Sequence, residues 1–217
     1  MTRHVEVSMF PELRAHKAVG PLVPSVITGT NADLIDKIRH LGYLDGSVID
    51  LTYGRGSWWR LWRPETLIGH DLETDGVDFT DLPYPDKSWD AVCYDPPYII
   101  VGGRDSSTRK DFQQSFGINV HRKQSDLDDL VLAGLKEAAR ICRGFLLVKC
   151  MDYVASAHFT PMTYRVAGWA SEIGLSMHDE IIHHAGSGPG GHNIVTQKRA
   201  RRAHSKLLVF TWKRVYS

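Results

Sequence analysis

Cysteine is scarce in this chain: Cys93, Cys142 and Cys150 are all that 217 residues contain, with no paired metal spacing among them. Three thiols cannot all be in disulfides, so they read as core residues of a protein kept in a reducing compartment. No apolar run approaches the ~20 residues that a membrane span requires. The opening Met1-Thr2-Arg3-His4-Val5-Glu6 lacks the apolar stretch of a secretory signal, and the expected location is cytoplasmic. Internal repeats are not apparent. Acidic side chains are missing from residues 183–217, which hold seven of the 26 Lys and Arg residues and none of the 25 acids. A solvated surface usually mixes both signs, so this segregation points to contact with a polyanion.

What is present, 42% hydrophobic and 24% charged residues, is the balance of a soluble globular protein, and the length suffices for one good core. Residues 1–30 carry Pro11, Pro21 and Pro24 without clear periodicity and read as an irregular N-terminal arm; residues 31–217 read as the domain. Asn31 can cap a helix with Leu34, Ile35, Ile38 and Leu41 at helical spacing, ended by Gly42. Strands are predicted at 47–51, 67–70, 77–79, 89–94, 145–150, 175–183 and 206–212. Two longer helices fall among them. One starts at Ser125, with Leu127, Leu130, Val131, Leu135, Ala138 and Ile141 on one face and Gly144 closing it; the other is opened by Thr160-Pro161 and stopped at Gly174. Such alternation implies an α/β fold with a mostly parallel seven-stranded sheet, covered on both faces and finished by an antiparallel C-terminal strand pair.

Chemistry-bearing residues collect at the predicted strand ends. After the first strand comes Asp50-Leu51-Thr52-Tyr53-Gly54-Arg55-Gly56, whose two glycines permit a sharp turn and close approach of backbone to a ligand. Asp71 ends the second strand about 20 residues on, where a carboxylate can hold ribose hydroxyls, and Asp78 ends the third. The third glycine of the dinucleotide fingerprint is missing, which argues for a smaller nucleoside ligand. Asp95-Pro96-Pro97-Tyr98 then follows the apolar run Ala91-Val92-Cys93-Tyr94. Two prolines cannot donate to a sheet ladder, so the strand must stop and present Asp95 and Tyr98 in a rigid turn, an acid and an aromatic suited to a planar substrate. Taken singly, the acids are ordinary turn residues and the prolines a strand terminator; coincidence at four strand ends favours a site. His183, His184, His192 and His204 lack cysteine partners, and no metal is expected. Trp58, Trp59 and Trp62 read as packing residues.

In this order, the Asp50/Gly54/Gly56 turn, Asp71, the run Asp78-Phe79-Thr80-Asp81-Leu82-Pro83 and Asp95-Pro96-Pro97-Tyr98 resemble the S-adenosylmethionine-dependent amino methyltransferases. Within that family the pattern is most similar to enzymes that methylate the 6-amino group of adenine in DNA. The closing Arg202-Ala203-His204-Ser205-Lys206-Leu207-Leu208-Val209-Phe210 also resembles the family's final strand. The resemblance spans residues 31 to 217 and implies a Rossmann-like methyltransferase fold with S-adenosyl-L-methionine as cofactor. It implies that Asp50 and the Gly54/Gly56 turn cradle the methionine end, Asp71 the ribose, and Asp78 with Phe79 the adenine. Thr52 belongs to the same pocket but departs from the family, which usually carries an aromatic there; Tyr53 can substitute.

The resemblance also implies a mechanism in which the Asp95 carboxylate and the Pro96 carbonyl accept hydrogen bonds from the target amine and direct its lone pair at the methyl group. Pro97 stiffens the turn, and Tyr98 stacks on a base that has left the helix stack. Methylation of carbon 5 of cytosine would need a cysteine nucleophile, typically after proline, and no Pro-Cys dipeptide occurs. DNA is the expected partner, read by two loops: 99–124, with Arg104, Arg122 and Lys123, and 185–205, with Lys198, Arg199, Arg201 and Arg202 available to phosphates. RNA base methylation and protein glutamine methylation use related strand-end motifs and stay open. So does a nucleic-acid-binding subunit of this fold that acts only with a protein partner or as a homodimer, motivated by Thr52 and the lack of a separate recognition domain.

Overall fold

The computed structural model describes residues 21–97, 124–155, 158–186, 199–200 and 202–213. Its strands are β1 (Val26–Thr28), β2 (Ser47–Asp50), β3 (Thr66–Gly69), β4 (Trp89–Tyr94), β5 (Cys142–Cys150), β6 (Tyr153–Ala155), β7 (His158–Thr160), β8 (Leu175–His184) and β9 (His204–Trp212). The helices are α1 (Asn31–Ile38), α2 (Gln124–Ile141) and α3 (Met162–Glu172), with short 3-10 turns at Arg39–Leu41 and Ser57–Trp59. Seven strands form one Rossmann-like sheet in the order β1-β8-β9-β5-β4-β2-β3, and β6 pairs with β7 as a separate hairpin. Within the seven, β9 alone runs against its neighbours, pairing antiparallel with β5 and β8. The expected architecture of a mostly parallel sheet with an antiparallel C-terminal pair is the one observed.

Period-two alternation sorts the strand residues onto two faces. Ile49, Val92, Leu146, Val148, Leu208 and Phe210 join the α2 and α3 side chains in one core. Val48, Ala91, Cys93, Leu147, Leu207 and Val209 join α1, Trp58 and Trp59 in the other. All three cysteines are buried, as their composition implied.

Several elements differ from the sequence expectation, each for a local reason. The expected third strand at 77–79 does not form. There the backbone turns through Asx-type bonds, with the Asp75 carboxylate accepting Val77 N–H at 3.1 Å and the Asp78 carboxylate accepting Thr80 N–H and Oγ at 2.8 Å. Aspartates that capture nearby amides outcompete a ladder. The seventh strand is instead Val26–Thr28, inside the reach read as an irregular arm; it pairs parallel with β8 and buries Ile27. Helix α1 is capped by Thr30 rather than Asn31, in a reciprocal box with Asp33. Gly144 does not stop α2, which ends at Ile141. It lies within β5, where a Cβ would stand 2.2 Å from the Asp90 carbonyl oxygen. Only glycine lets β5 pass so close to the start of β4. The Asp90 carboxylate completes this junction, accepting Arg143 Nε at 2.6 Å, Arg143 Nη2 at 2.8 Å and Ser47 N–H at 2.9 Å.

Among the described residues no helix is long and apolar enough to cross a membrane, and no cluster of three metal-ligating side chains is present.

Candidate active site

Parallel pairing brings the carboxyl ends of β2, β3, β4 and β5 to one edge, with Asp50 opposite both Gly69 and Cys93, and Tyr94 opposite Val148. Ligands of open α/β sheets bind at such an edge. The turn after β2 is stitched to both neighbours: Leu51 N–H donates to Cys93 C=O at 2.9 Å, and Tyr53 N–H to His70 C=O at 2.9 Å. Gly54 and Gly56 take the left-handed conformation, with φ of +50° and +65°. That is the sharp turn which the sequence required of them.

Asp71 follows β3 and faces this turn, its Oδ2 3.9 Å from the place of a Cβ on Gly54. Its other oxygen accepts Glu73 N–H at 3.0 Å. The loop beyond is braced by His70, whose Nδ1 meets Asp75 at 2.6 Å and whose Nε2 meets the Tyr84 hydroxyl at 2.5 Å. Arg140 of α2 holds the same loop from behind, donating to the carbonyls of Tyr84 at 2.7 Å and Leu82 at 3.1 Å. Asp78 is exposed; Phe79 packs on Tyr94 with ring centroids 5.4 Å apart. Helix α2 makes room for this pair at Gly134, where a Cβ would be 2.2 Å from the Tyr94 hydroxyl and 2.6 Å from the Phe79 ring.

Asp50 lies at the base of the turn after β2. Only 3% exposed, it commits both oxygens internally, Oδ1 to Thr52 N–H at 3.0 Å and Oδ2 to the Trp59 indole N–H at 2.7 Å. Burial lifts its carboxyl to about 6, and the charge of Asp95 adds to the rise. Asp50 therefore shapes the turn from beneath. Thr52 bridges the two halves of the site, its hydroxyl accepting Asp95 N–H at 2.8 Å.

Asp95 follows β4 directly, with Pro96 buried and Pro97 half-buried behind it. Its side chain is 21% exposed; Oδ2 receives Lys149 Nζ at 3.3 Å, while Oδ1 is buried. Burial raises this carboxyl above its ordinary range, opposed first by the Lys149 ammonium and then by the Trp58 indole and His183. His183, at the end of β8, is buried with Nε2 donating to Gly29 C=O at 2.9 Å and Nδ1 3.5 Å from the Ser205 hydroxyl. Burial lowers its pKa, and the like charge of Lys149 contributes.

Tyr98, Arg104, Arg122, Lys123, Lys198 and Arg201 lie outside the described residues. Arg199 is exposed. Arg202 stacks its guanidinium 4.6 Å over the ring of Phe159 on the β6–β7 hairpin. Lys149, His183 and the indoles of Trp58 and Trp59 are site residues that the motifs did not supply. A signal for one existed: Lys149 is the lone charge in the apolar run 145–150.

No protein-family model and no curated protein matches the chain. Solved structures with a similar fold include a protein assigned as a DNA modification methylase from Thermus thermophilus, complexed with S-adenosyl-L-methionine. It shares 12% identity over 79% of this chain and 58% of its own, at a TM-score of 0.40. Magnesium protoporphyrin IX methyltransferase from Synechocystis PCC 6803 shares 11% identity over 84% of this chain and 78% of its own, at 0.47. The cytosine-N4-specific PvuII DNA methyltransferase shares 15% over 62% and 47%, at 0.42. The chain thus spans little more than half the length of the Thermus protein.

Proposed function

We propose that the chain is an S-adenosyl-L-methionine-dependent methyltransferase acting on an exocyclic amino group of a DNA base, with the 6-amino group of adenine as target. The observation that carries this reading is the Asp95-Pro96-Pro97 turn at the end of β4, hydrogen-bonded through Thr52 to the glycine turn after β2. A donor pocket and an acceptor for an amine thereby share one rigid edge. The residues present fit the cofactor: backbone at Gly54 is open to close approach, the Tyr53 side chain closes the space at Gly56, and Asp71 faces that turn with a carboxylate able to hold ribose hydroxyls. In this reading Phe79, packed on Tyr94, borders the adenine ring. When bound, the cofactor supplies an electrophilic methyl group.

The chain's own residues act on the amine. An exocyclic amine is a poor nucleophile because its lone pair is delocalised into the ring. Hydrogen bonds to the Asp95 carboxylate and the Pro96 carbonyl draw the nitrogen toward a pyramidal geometry and fix its lone pair along one direction. Tyr98 offers a stacking face that replaces part of the few kcal/mol lost on unstacking the base. Arg199 and Arg202 supply phosphate contacts.

The test is to incubate the purified chain with methyl-deuterated cofactor and unmethylated DNA, in parallel with RNA, and to read labelled nucleosides by mass spectrometry. Labelled N6-methyladenine in DNA is expected. Labelled N4-methylcytosine, or label in RNA alone, overturns the substrate assignment, and label in neither overturns the reading.

A further inference from the structure

Strand β5 carries a charge where its neighbours carry none. Lys149 lies between Val148 and Cys150, both fully buried, and its own side chain is 6% exposed. Taking an ammonium out of water is costly, and a well-packed apolar residue at such a site is often neutral or stabilising by comparison. Stability alone therefore does not account for a lysine here. Its Nζ lies 3.3 Å from Asp95 Oδ2, at the head of the candidate site.

The groups around Asp95 define what that contact does. From the turn after β2, the Thr52 hydroxyl takes the Asp95 backbone N–H, and beneath it lies the Asp50 carboxyl. From the Ser57–Trp59 turn comes the Trp58 indole, from β5 the Cys150 thiol, and from β8 the His183 imidazole. His183 is engaged with Gly29 and Ser205, and burial lowers its pKa. Among the described residues, Lys149 is the basic side chain in salt-bridge contact with the Asp95 carboxylate. A carboxylate accepts hydrogen bonds through both oxygens, whereas a protonated carboxyl presents a donor. Burial drives Asp95 toward the second form, which cannot polarise an amine.

We propose that Lys149 is a positioning residue that holds the Asp95 carboxylate ionised and oriented to accept hydrogen bonds from the substrate amine. This rests on the methyltransferase reading above, and it acts wholly through Asp95. The charge is required, and the lysine itself touches neither substrate nor cofactor.

The experiment compares wild type, K149M and K149R by two readouts. The first is the titration of the Asp95 carboxyl, followed by carbon-13 NMR of protein labelled at the aspartate carboxyl carbon and assigned with D95N. Opposite charges at this range shift a carboxyl by about one to three pH units, so the K149M midpoint should rise by that amount and K149R should stay within about half a unit of wild type. An unchanged midpoint in K149M overturns the proposal. The second is methyl transfer against pH. In K149M the acid limb should move to higher pH, with turnover at pH 6 down roughly tenfold or more, a partial recovery on raising the pH, and cofactor affinity within about twofold. A uniform loss at every pH, not restored in K149R, marks a merely structural lysine and overturns the proposal. Should K149M fail to fold, K149Q is read by the same two criteria. Because the NMR titration needs no substrate, a wild type that methylates nothing defeats the functional reading while the lysine's effect on Asp95 is still measured.

Discussion

Thr52 stands where an aromatic is usual in the family that the chain resembles, and its hydroxyl explains why a small polar residue works there. It accepts the Asp95 amide at 2.8 Å, which ties the Asp95 turn to the glycine turn. T52V keeps the shape and leaves that partly buried amide unsatisfied. A cost of about 1–3 kcal/mol is expected, with turnover falling more than cofactor affinity, and T52S should restore both; denaturation and calorimetry check this. Asp50 makes a second prediction. Its carboxyl is raised to about 6 in the fold against about 4 in the unfolded chain. The folded state thus binds more protons between those values. The stability that this group contributes is complete below pH 4 and lost as pH rises through 6. The stability difference between wild type and D50N should accordingly shrink from pH 4 to pH 7 in urea titrations. A constant difference would contradict the assignment.

Elements, rather than residues, decide how much of this was legible beforehand. The strands read at 47–51 and 89–94 match those observed to within a residue, because their apolar runs are bounded by turn residues. The stretch 77–79 misled because its residue types suit a strand, while Asp75 and Asp78 take the amides that a ladder would need. Asp50, Asp71 and the proline turn were visible as motifs at or just beyond strand ends, whereas Asp78 follows no strand. The pairing of Lys149 with Asp95 was not, since 54 residues separate them and only the β4–β5 register joins them. Gly134 shows the same limit within a helix. By propensity alone, alanine there should gain about 1 kcal/mol. A methyl group would nevertheless meet the ring and hydroxyl of Tyr94 and the ring of Phe79, and overpacking of this kind costs about 1–3 kcal/mol. G134A is therefore expected to be net destabilising and to weaken cofactor binding through Phe79, checked by thermal melts with and without cofactor. A stabilised G134A would show that Phe79 can yield freely.

Over the whole molecule, charge is distributed unevenly, with residues 183–217 free of acids. Where the structure describes this region, Arg199 is exposed and Arg202 lies against Phe159 of the β6–β7 hairpin, which follows the Lys149 end of β5. Neutralising Lys198, Arg199, Arg201 and Arg202 together should weaken binding to DNA of any sequence. It should also flatten the salt dependence, by a slope of about 0.9 for each phosphate that the protein no longer neutralises, while leaving base preference unchanged. Wild-type salt dependence in the quadruple variant would make the segment a bystander, and weakening confined to one sequence would make it a reader of bases.

In the proposed mechanism Asp95 acts on the amine while other residues hold the cofactor. One paired measurement addresses it: cofactor affinity by calorimetry and labelled-methyl transfer to DNA, on wild type and D95A side by side. The site described here predicts that D95A binds cofactor within a few-fold of wild type and transfers no methyl group. Methyl transfer by D95A at the wild-type rate would remove Asp95 from the mechanism and contradict the account.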